Sequence, residues 1–446
     1  MKIALLGFGL ETRSAYRFLK ARYPYATFEI YDQSYNSKVE TPPETEVFLG
    51  VNDFSGIEAD LLVRTPAVNP KELPFGANIT SVSKLFFENS PAKIIGVTGS
   101  KGKGTTASFI AEILRAANIK THLVGNIGLP ALDILPEVQP EDVVVYELSS
   151  FQLWDMEKSP HVSVITNIEP DHLDVHDDFE DYVQAKMNIF KYQTADDSAI
   201  HNGRDEEILS RISQLRTEVP AKFIAFPDSE HAHILGDQFA WGGQELFDLN
   251  ILKLPGAHNQ SNALAAMDAT FPILNVKFDN FEDIKQAWAE GLAKFEGLPH
   301  RLKFVAEKGG VKFYDDSIAT TPGSAIAAIN AFSAPKILIL GGSDKGADLS
   351  ELVEKIAKSS TNEVKNVVLI GDEAGNLQNR LAEAGFRRFI NLGKDVVMPE
   401  IVEAAYDLAV EGDVVILSPA HASFDMFKSY SDRGDRFVRA VKGIGR

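Results

Sequence analysis

Short apolar runs alternate along the chain with stretches in which apolar residues recur at helical spacing. Short apolar runs bounded by turns are typical of buried strands, and helical spacing is typical of amphipathic helices. Strands are predicted at KIALLG, ATFEIYD, DLLVRTP, AKIIGVTG, DVVVYEL, HVSVITNI, VKFYDD, KILILGG, NVVLIG and DVVILSP. This alternation predicts an α/β fold in which mainly parallel sheets are covered by helices.

Two junctions divide the chain into three predicted domains. The polar segment Glu88–Pro91 ends the first block, because the residue before a proline disfavours helix. Gly297–Pro299 begins the third block. We therefore predict domains at residues 1–91, 92–296 and 297–446, and the length of 446 residues agrees with roughly 100–200 residues per domain.

Composition excludes several classes of site and partner. The chain has no cysteine, which excludes thiol nucleophiles, zinc–thiolate sites, iron–sulfur clusters and disulfides. Its 63 acidic and 44 basic residues give a net charge of −19, which argues against general binding to nucleic acid or an anionic membrane. No apolar run approaches the roughly 20 residues of a membrane span, and the run at the N-terminus is too short for a signal peptide. We therefore expect a cytoplasmic protein that neither inserts into membranes nor binds nucleic acid.

A glycine-rich segment between a predicted strand and a predicted helix is the strongest local motif. Glycines let backbone amides approach phosphate oxygens, the helix N-terminus attracts anions, and Lys103 adds a positive charge. The common phosphate loop has Ser or Thr directly after its lysine, whereas here Gly104 stands there and Thr105 follows. The segment is either a turn without a ligand or, as we predict, a nucleotide phosphate site formed by Gly99, Ser100, Lys101, Gly102, Lys103, Gly104 and Thr105.

A weaker glycine motif follows the first predicted strand. Gly7–Gly9 precedes a predicted helix and Asp32 ends the second strand, as in dinucleotide-binding folds, but Thr12 occupies the place of the third glycine. The segment is therefore either a plain tight turn or a site for a nucleotide pyrophosphate at the helix N-terminus.

Acidic and histidine side chains follow predicted strands of the middle domain. Glu147 ends one strand, where it is either simply solvated or placed to hold magnesium beside a phosphate loop. Asn167–His176 contains two histidines and three acids. His172 and His176, four residues apart, could share a helical face as zinc ligands do; a magnesium–phosphate role and a polar loop with capping acids are the other interpretations. From its chemistry alone, Lys186 is expected to be an ordinary lysine on a helix surface.

Polar residues also follow the predicted strands of the third domain. Arg301 suits phosphate recognition. Asp315–Ser317, Gly341–Gly346 and Ser418–Ser423 each follow a strand, where doubly wound sheets bind ligands. In the middle domain, Asn262 follows a turn and either contacts an adenine edge or caps that turn. Each of these segments alone is equally typical of an ordinary loop.

Together the ordered motifs resemble the Mur ligase family of peptidoglycan synthesis over the whole chain. The segments GLPHRLKF and SPAHASFDMFKSYSDRGDRF are most similar to the glutamate-adding (MurD) type of that family. The resemblance implies a Rossmann-like N-terminal domain for a UDP-sugar, a central phosphate-loop ATPase domain and a Rossmann-like C-terminal domain that brings glutamate. It implies a monomeric, ATP-dependent ligase that joins glutamate, expected to be the D-enantiomer, to UDP-N-acetylmuramoyl-L-alanine through an acyl phosphate.

The resemblance also implies roles for individual residues. Catalysis would involve Lys103, His172 and Lys186. Two magnesium ions would be held by Thr105, Glu147, His172 and Lys186, the last of these carbamylated by carbon dioxide. Beyond the glycine-rich segment, ATP would contact Asn262, Arg301 and Asp316. The UDP-sugar would contact Gly9, Leu10, Glu11, Asp32, Thr65, Asn126 and Ser149. Glutamate would contact Thr320, Lys345, Ser423 and Tyr430.

Three positions depart from the family's usual pattern. Gly104 follows the phosphate-loop lysine, as in folylpolyglutamate synthetases, and Lys101 stands where asparagine is commoner. Ile318 stands where glutamate-adding ligases have a lysine near the glutamate carboxylate. Loss of that cation would change how the amino acid is held, and it could mark ligases that add L-glutamate.

Three alternatives to D-glutamate ligation stay open. The first is the same reaction with L-glutamate, and the second is a folylpolyglutamate-type or other poly-amino-acid ligase. The third is a non-catalytic, nucleotide-binding partner subunit. The complete first domain, with Gly7–Gly9 and Asp32, argues against the second, and the retained phosphate-loop lysine argues against the third.

Overall fold

The chain divides into two compact units, Met1–Phe295 and Glu296–Arg446. The boundary between the units lies next to the predicted junction at 296/297, whereas the predicted junction at residue 91 falls inside the first unit. The three-domain division therefore stays a prediction. The computed structural model describes residues 1–33, 41–126, 130–173, 175–254, 256–343 and 347–445.

A parallel sheet of five strands begins the first unit. Its elements are β1 (Lys2–Leu6), α1 (Leu10–Arg22), β2 (Thr27–Asp32), β3 (Thr45–Leu49), β4 (Leu61–Arg64), β5 (Ile79–Ser81) and α2 (Val82–Asn89). The strand order is β3-β2-β1-β4-β5. The central strand β1 is buried on both faces, which explains its continuous apolar sequence. Helix α2 was not predicted, although Val82, Leu85 and Phe86 form its buried face.

A second parallel sheet, of six strands, follows in the same unit. Its elements are β6 (Lys93–Thr98), α3 (Lys103–Ala116), β7 (Thr121–Gly125), α4 (Ala131–Ile134), β8 (Val143–Glu147), α5 (Ser150–Leu153), β9 (Val162–Ile165), α6 (Phe179–Lys191), β10 (Ser198–Asn202), α7 (Glu206–Glu218) and β11 (Lys222–Phe226). The order β11-β10-β9-β6-β8-β7 places β6 between β9 and β8. Because parallel strands share one carboxyl edge, the segments that follow these three strands meet there.

A small antiparallel sheet and two helices complete the first unit. They are β12 (Ala232–Leu235), β13 (Gln238–Trp241), β14 (Gln244–Asp248), α8 (Ala257–Lys277) and α9 (Phe281–Lys294). The sheet was not predicted. Gly242 and Gly243, with φ of 55° and 79°, form the turn between β13 and β14, since both central positions of such a hairpin turn need positive φ.

The second unit contains one six-stranded sheet among the described residues. Its elements are β15 (Lys303–Lys308), β16 (Val311–Asp315), α10 (Pro322–Asn330), β17 (Lys336–Gly341), α11 (Ser350–Lys358), β18 (Val364–Ile370), α12 (Ala374–Glu383), β19 (Phe389–Gly393), α13 (Met398–Asp407), β20 (Val414–Leu417) and α14 (Tyr430–Gly443). The order is β15-β16-β20-β17-β18-β19, and only the edge pair β15–β16 is antiparallel.

The predicted α/β class with mainly parallel sheets is confirmed, because each predicted apolar run forms a strand of one of these sheets. In the described part of the chain, no helix is both long enough and apolar enough to cross a membrane.

Helices α3 and α9 approach each other so closely that one position needs glycine. A Cβ atom on Gly291 would lie 2.4 Å from the Cα atom of Ile113. Ile113 belongs to the helix that begins at the glycine-rich segment, so this contact supports the element that carries the predicted phosphate site.

We expect Gly291→Ala to lower the free energy of unfolding of the first unit by about 1–3 kcal/mol, because the added methyl group forces the two backbones apart. Urea unfolding followed by tryptophan fluorescence measures this, since all three tryptophans lie in the first unit. Glu290→Ala, at the exposed neighbouring position, is the control and should change stability by no more than about 0.5 kcal/mol. Equal stability of the two variants would contradict the close helix contact.

Candidate functional site

The glycine-rich loop between β6 and α3 is closely packed by its neighbours. Gly99 and Gly102 have φ of 147° and 81°, which side-chain-bearing residues rarely adopt. A Cβ atom on Gly99 would lie 2.0 Å from Thr166 Oγ1, and one on Gly102 would lie 2.5 Å from Asn262 Oδ1. The glycines therefore permit close approach, and Asn262 of α8 lies directly against the predicted phosphate loop.

The segment after β9 holds the same loop by hydrogen bonds. The carbonyl oxygen of Asn167 accepts from the Ser100 amide at 2.9 Å, and its side-chain oxygen accepts from the Lys101 amide at 2.8 Å. Ser100 Oγ donates to the Glu169 carbonyl at 2.9 Å and accepts from the Glu169 amide at 2.8 Å. The loop conformation is therefore held by contacts within the protein itself, which lowers the cost of ordering it on binding.

Lys103 begins α3 and folds back over the loop. Its Nζ atom donates to the carbonyl oxygens of Gly99 at 2.7 Å and Ser100 at 3.0 Å. Gly104 and Thr105 are buried in the first turn of the same helix. The exposed Lys101 pairs with Glu169 at 2.5 Å. Positive charge is thus concentrated where the helix N-terminus also favours an anion.

Lys186 is buried at the same loop, so the expectation of a surface lysine is wrong. Its residue is 2% exposed, its Nζ atom donates to the Gly99 carbonyl at 2.9 Å, and that atom lies 4.6 Å from the ring centroid of Tyr182. Burial and then the charge of Lys103 lower the pKa of the Lys186 amine well below its usual value, although Asp171 and Glu147 act in the opposite direction. The neutral amine is therefore more favoured at Lys186 than at an exposed lysine.

A signal for this burial exists in the sequence and was missed. Helix α6 buries Tyr182, Lys186 and Phe190, which lie four residues apart on one face. A lysine between two aromatic residues at this spacing belongs to the apolar face of the helix, whatever its own polarity.

Glu147 ends β8 and is 6% exposed, so the interpretation of a simply solvated carboxylate is wrong. Among the residues that the structure describes, no group of three His, Cys, Asp or Glu side chains forms a metal cage. Magnesium binds through one or two carboxylates together with substrate phosphates, and does not need such a cage. The Glu147 carboxylate and the Thr105 hydroxyl are hard oxygen donors that fit this mode of binding.

The two histidines do not share a helical face, so the zinc-type interpretation of their spacing is wrong. Helix α6 begins only at Phe179, and His172 has a φ of 54° in the preceding segment. His172 is exposed, with its ring 4.9 Å from that of Phe151, whereas His176 is buried. Asp174, between them, lies outside the described residues.

His176 belongs to a hydrogen-bonded relay that the sequence did not reveal. Its Nδ1 atom bonds Asp181 at 2.7 Å, and its Nε2 atom bonds Ser150 Oγ at 3.0 Å. Burial lowers the pKa of His176. Burial alone would raise the pKa of Asp181, but hydrogen bonds from Lys71, His176 and Trp154 lower it to about 2. The relay fixes the segment that carries His172 against α5 and α6.

The glycine turn after β1 brings three of the predicted UDP-sugar residues together. A Cβ atom on Gly7, where φ is 76°, would lie 3.1 Å from the Thr65 side chain. Asp32 accepts a hydrogen bond from the Phe8 amide at 2.8 Å. A Cβ atom on Gly9, at the start of α1, would meet no atom within 4 Å, so this face of the turn is open.

Of the other four predicted UDP-sugar residues, Glu11 and Ser149 are connected by Gln152, which was not predicted. Gln152 donates to Glu11 Oε1 at 3.2 Å, and its side-chain oxygen accepts from the Ser149 amide at 2.9 Å. Burial raises the pKa of Glu11. Leu10 is 74% exposed, and Asn126 is exposed at the end of β7. The contacts through Gln152 link α1, which follows the first strand of the first sheet, with α5, which follows β8 of the second sheet.

In the second unit, Asp316 is buried at the end of β16. It accepts hydrogen bonds from the Leu302 amide at 3.0 Å and from Ser418 Oγ at 2.8 Å. Burial raises the pKa of Asp316 to about 7, against the opposing charge of Arg301. Arg301 itself is exposed. The two predicted ATP-contacting residues of this unit are therefore close enough for their charges to interact.

Three of the four predicted glutamate-binding residues lie at one edge of the sheet of the second unit. Thr320 follows β16, Ser423 is buried after β20, and Tyr430 begins α14. Ile318 is 37% exposed beside them. Lys345 lies outside the described residues.

Two hydrogen bonds join the segments that carry these residues. Ser317 Oγ donates to the Tyr430 carbonyl at 2.7 Å, and the Ala420 amide donates to the Ala319 carbonyl at 2.8 Å. The segments after β16 and β20 and the start of α14 therefore form one connected surface.

Comparisons with known proteins identify the family. The family profile described as "Mur ligase middle domain" matches residues 97–270, and that described as "Mur ligase, glutamate ligase domain" matches residues 300–421. A protein of Symbiobacterium thermophilum named UDP-N-acetylmuramoylalanine–D-glutamate ligase is 36% identical, over 99% of this chain and 98% of its own. A protein of the same name from Clostridium botulinum strain 657 is 33% identical, over 99% of this chain and 97% of its own.

The chain belongs to the Mur ligase family. A solved structure agrees in fold: UDP-N-acetylmuramate-alanine ligase MurC of Thermotoga maritima matches with a TM-score of 0.58 and 19% identity, over 99% of each chain. In this Mur ligase, the middle-domain profile spans the glycine-rich loop, Glu147 and Lys186, and the glutamate-ligase profile spans Asp316 to His421.

The buried Asp316 makes the stability of this Mur ligase depend on pH. Its pKa is about 7 in the folded protein and about 3.9 in an unfolded chain. Between these values the folded state binds more protons, so the Asp316 contribution to stability is present below about pH 4 and is lost as pH rises to about 7.

We expect Asp316→Asn, which stays neutral, to gain melting temperature relative to the unaltered protein between pH 5 and pH 8. Differential scanning calorimetry at several pH values measures this difference. Asp407→Asn, at an exposed position of the same unit, is the control. A difference for Asp316→Asn that does not change with pH would show that this carboxyl is already ionised at pH 5.

Proposed function

We propose that this Mur ligase joins glutamate to UDP-N-acetylmuramoyl-L-alanine with ATP, in the synthesis of peptidoglycan precursors. The observation that carries the proposal is the arrangement of Lys103 and Lys186 on a preformed glycine loop, in a chain that matches two D-glutamate ligases over 99% of its length. The expected amino acid is D-glutamate, as in the names of those relatives.

The chemistry explains why such a loop is needed. A carboxylate does not condense with an amine at neutral pH, because it is a poor electrophile. Transfer of the γ-phosphoryl group of ATP to the alanine carboxylate releases ADP and forms an acyl phosphate. The glutamate amine then attacks the acyl carbon, a tetrahedral intermediate forms, and inorganic phosphate leaves as the peptide bond is made. Both steps need negative charge to be held and neutralised.

We assign phosphate binding to the glycine-rich loop and to helix α3. Amides of Gly99–Thr105 at the N-terminus of α3 would bind phosphate oxygens, and Lys103 would neutralise charge on the transferred group. Asn262, which packs on Gly102, would contact adenine. The roles assigned above to Arg301 and Asp316, and to the glutamate-binding residues, stay predictions.

Magnesium, expected as two ions, supplies neutralisation of the phosphate charge when it is bound. The donors that would hold it are Thr105, Glu147, His172 and a carbamate on Lys186. His172 is exposed next to Phe151, and the relay through His176 holds its segment. The relay therefore keeps a nitrogen donor beside Phe151 of α5, the helix that follows β8.

The UDP-sugar is assigned to the open turn after β1. Gly9, Leu10 and Glu11 begin α1 there, and Asp32 and Thr65 line the turn. Ser149, joined to Glu11 through Gln152, and Asn126 would face the muramoyl part. A cytoplasmic location and a monomeric state are part of this proposal.

L-glutamate is the second candidate acceptor, and Ile318 favours it. An exposed isoleucine in the amino-acid site, in place of a lysine, removes one charged partner for a substrate carboxylate. The site would then hold the dicarboxylate differently. A non-catalytic partner subunit has less support, because Lys103, Lys186 and Glu147 retain an ordered arrangement.

The first test is phosphate release from ATP with UDP-N-acetylmuramoyl-L-alanine, with D-glutamate and L-glutamate supplied in parallel. Release with D-glutamate is expected, and release with L-glutamate alone would make Ile318 the first residue to exchange for lysine. Release with neither amino acid would contradict the proposal. Lys103→Ala should reduce turnover about 100-fold or more, and Lys120→Ala, at an exposed lysine, is its control.

The second test concerns the carbamate on Lys186. The neutral amine attacks carbon dioxide and an N–C bond forms. The nitrogen then loses one proton to solvent, and the amine becomes a carbamate anion. The lowered pKa favours this step, because only the deprotonated amine reacts. We expect ¹³C-bicarbonate to give a carbamate signal by NMR, and activity to fall in buffer depleted of carbon dioxide.

Lys186→Gln should abolish both the signal and the activity, since an amide can form no carbamate. Lys191→Gln, at an exposed lysine of the same helix, should keep both. An unchanged carbamate signal in Lys186→Gln would place the modification at another residue.

A further inference from the structure

Helix α14 carries an arginine, Arg433, that the proposed chemistry leaves without a role. The segment SYSDRGDRF spans the start of this helix, where Tyr430 is its first residue. Arg433 lies one turn further on, with a side chain that is completely buried. Arginine is almost never fully buried unless its charge is paired, so this position needs an explanation.

The guanidinium of Arg433 donates hydrogen bonds to two other segments of the second unit. Nε donates to Ser317 Oγ at 3.0 Å and Nη2 donates to the Ser317 carbonyl at 2.9 Å. The carbonyl of His421 accepts from Nη1 at 3.2 Å and from Nη2 at 3.1 Å, and that of Ala422 accepts from Nη1 at 3.4 Å. One side chain therefore ties α14 to the segments that follow β16 and β20.

All of these acceptors are neutral oxygens. In the described part of the chain, none of the hydrogen-bond partners of Arg433 is a carboxylate. Burial lowers the pKa of Arg433 to about 10, while the nearby charges of Asp425 and Asp315 act in the opposite direction. Burying a cation without a carboxylate partner costs free energy of folding. A contribution to the stability of the fold is therefore a poor explanation for the presence of Arg433.

The residue after Arg433 shows how closely this turn is packed. A Cβ atom on Gly434 would lie 2.1 Å from His300 Nδ1. That nitrogen hydrogen-bonds Asp315 at 2.7 Å, directly before Asp316 and Ser317. The first turn of α14 therefore packs against Ser317, after the end of β16, and against His300, which is hydrogen-bonded to Asp315 of that strand.

The three tied segments are the ones that carry the predicted amino-acid site. Ser317 lies three residues before Thr320, Ala422 lies directly before Ser423, and Tyr430 lies three residues before Arg433. Ser317 Oγ also donates to the Tyr430 carbonyl at 2.7 Å, which closes the ring of contacts.

We propose that Arg433 is the positioning residue of the glutamate site, whose buried guanidinium sets the spacing of the segments that carry Thr320, Ser423 and Tyr430. The proposal rests on the proposed function, since it assumes that glutamate binds at these three residues. Arg433 acts through Ser317 and the two carbonyl groups, and does not itself contact the substrate.

A positioning role differs measurably from a purely structural one. Loss of a merely structural residue lowers the amount of folded enzyme, which reduces apparent kcat and leaves every KM unchanged. Loss of a positioning residue raises KM for glutamate in the folded enzyme, since misplaced contacts weaken binding. KM for UDP-N-acetylmuramoyl-L-alanine is the internal reference, because its predicted contacts all lie in the first unit.

The test uses the full-length Arg433→Lys and Arg433→Gln variants, in steady-state phosphate release with the glutamate enantiomer that the unaltered protein uses. We expect both variants to raise KM for glutamate about 10- to 100-fold and to leave KM for the UDP-sugar unchanged. Lysine keeps the charge but loses the planar fork, so little rescue by Arg433→Lys is expected. Arg436→Gln, at an exposed arginine one turn along α14, is the matched control and should keep both KM values.

A milder variant keeps the proposal testable if the Arg433 variants do not fold. Ser317→Ala removes the hydroxyl that joins Arg433 to Tyr430, and should raise KM for glutamate in the same direction by a smaller factor. An unchanged KM for glutamate in folded Arg433→Gln or in Ser317→Ala would overturn the positioning role. If the unaltered protein releases phosphate with neither enantiomer, the proposed function fails, and the positioning role fails with it.

Discussion

Two lysine amines converge on a single carbonyl oxygen, and the arrangement of the first unit depends on this contact. The Gly99 carbonyl accepts from Lys103 at 2.7 Å and from Lys186 at 2.9 Å. Two ammonium groups so close repel each other, and burial adds to the penalty on Lys186. The structure resolves this by favouring the neutral form of Lys186, which is the form that can react with carbon dioxide.

The two lysine amines can reach the same carbonyl oxygen only because the backbone around Gly99 is closely packed. Gly99 has no side chain that would collide with Thr166, and Asn167 holds the amides of the loop. Lys186 must also lie on the apolar face of α6, where its Nζ atom lies over the ring of Tyr182. The glycine-rich loop, the end of β9 and helix α6 thus form one arrangement. The Gly99 carbonyl and the buried Lys186 amine each need the other in place for their hydrogen bond.

The second unit buries a basic side chain in a related way. Arg433 donates to neutral oxygens of two strand-end segments, as Lys186 donates to the carbonyl of a strand-end loop. In both units a basic side chain is buried at the carboxyl edge of a mainly parallel sheet, which is where doubly wound sheets bind ligands. A hydrogen-bonded cation costs stability when it is buried but organises the segments around it.

The amino-acid sequence by itself determined the fold class, ten of the strands, the glycine-rich turn between β6 and α3 and the family, because buried parallel strands and glycine turns leave local patterns. It did not reveal the antiparallel sheet of β12–β14, whose short strands are only partly buried. The spacing of Tyr182, Lys186 and Phe190 indicates the buried face of α6. The contact of Lys186 with Gly99, the different exposure of His172 and His176, and the contacts of Arg433 were decided only by the tertiary structure. The physical reason is that burial and pKa depend on neighbours far away in the chain, such as Gly99 for Lys186 and Ser317 for Arg433.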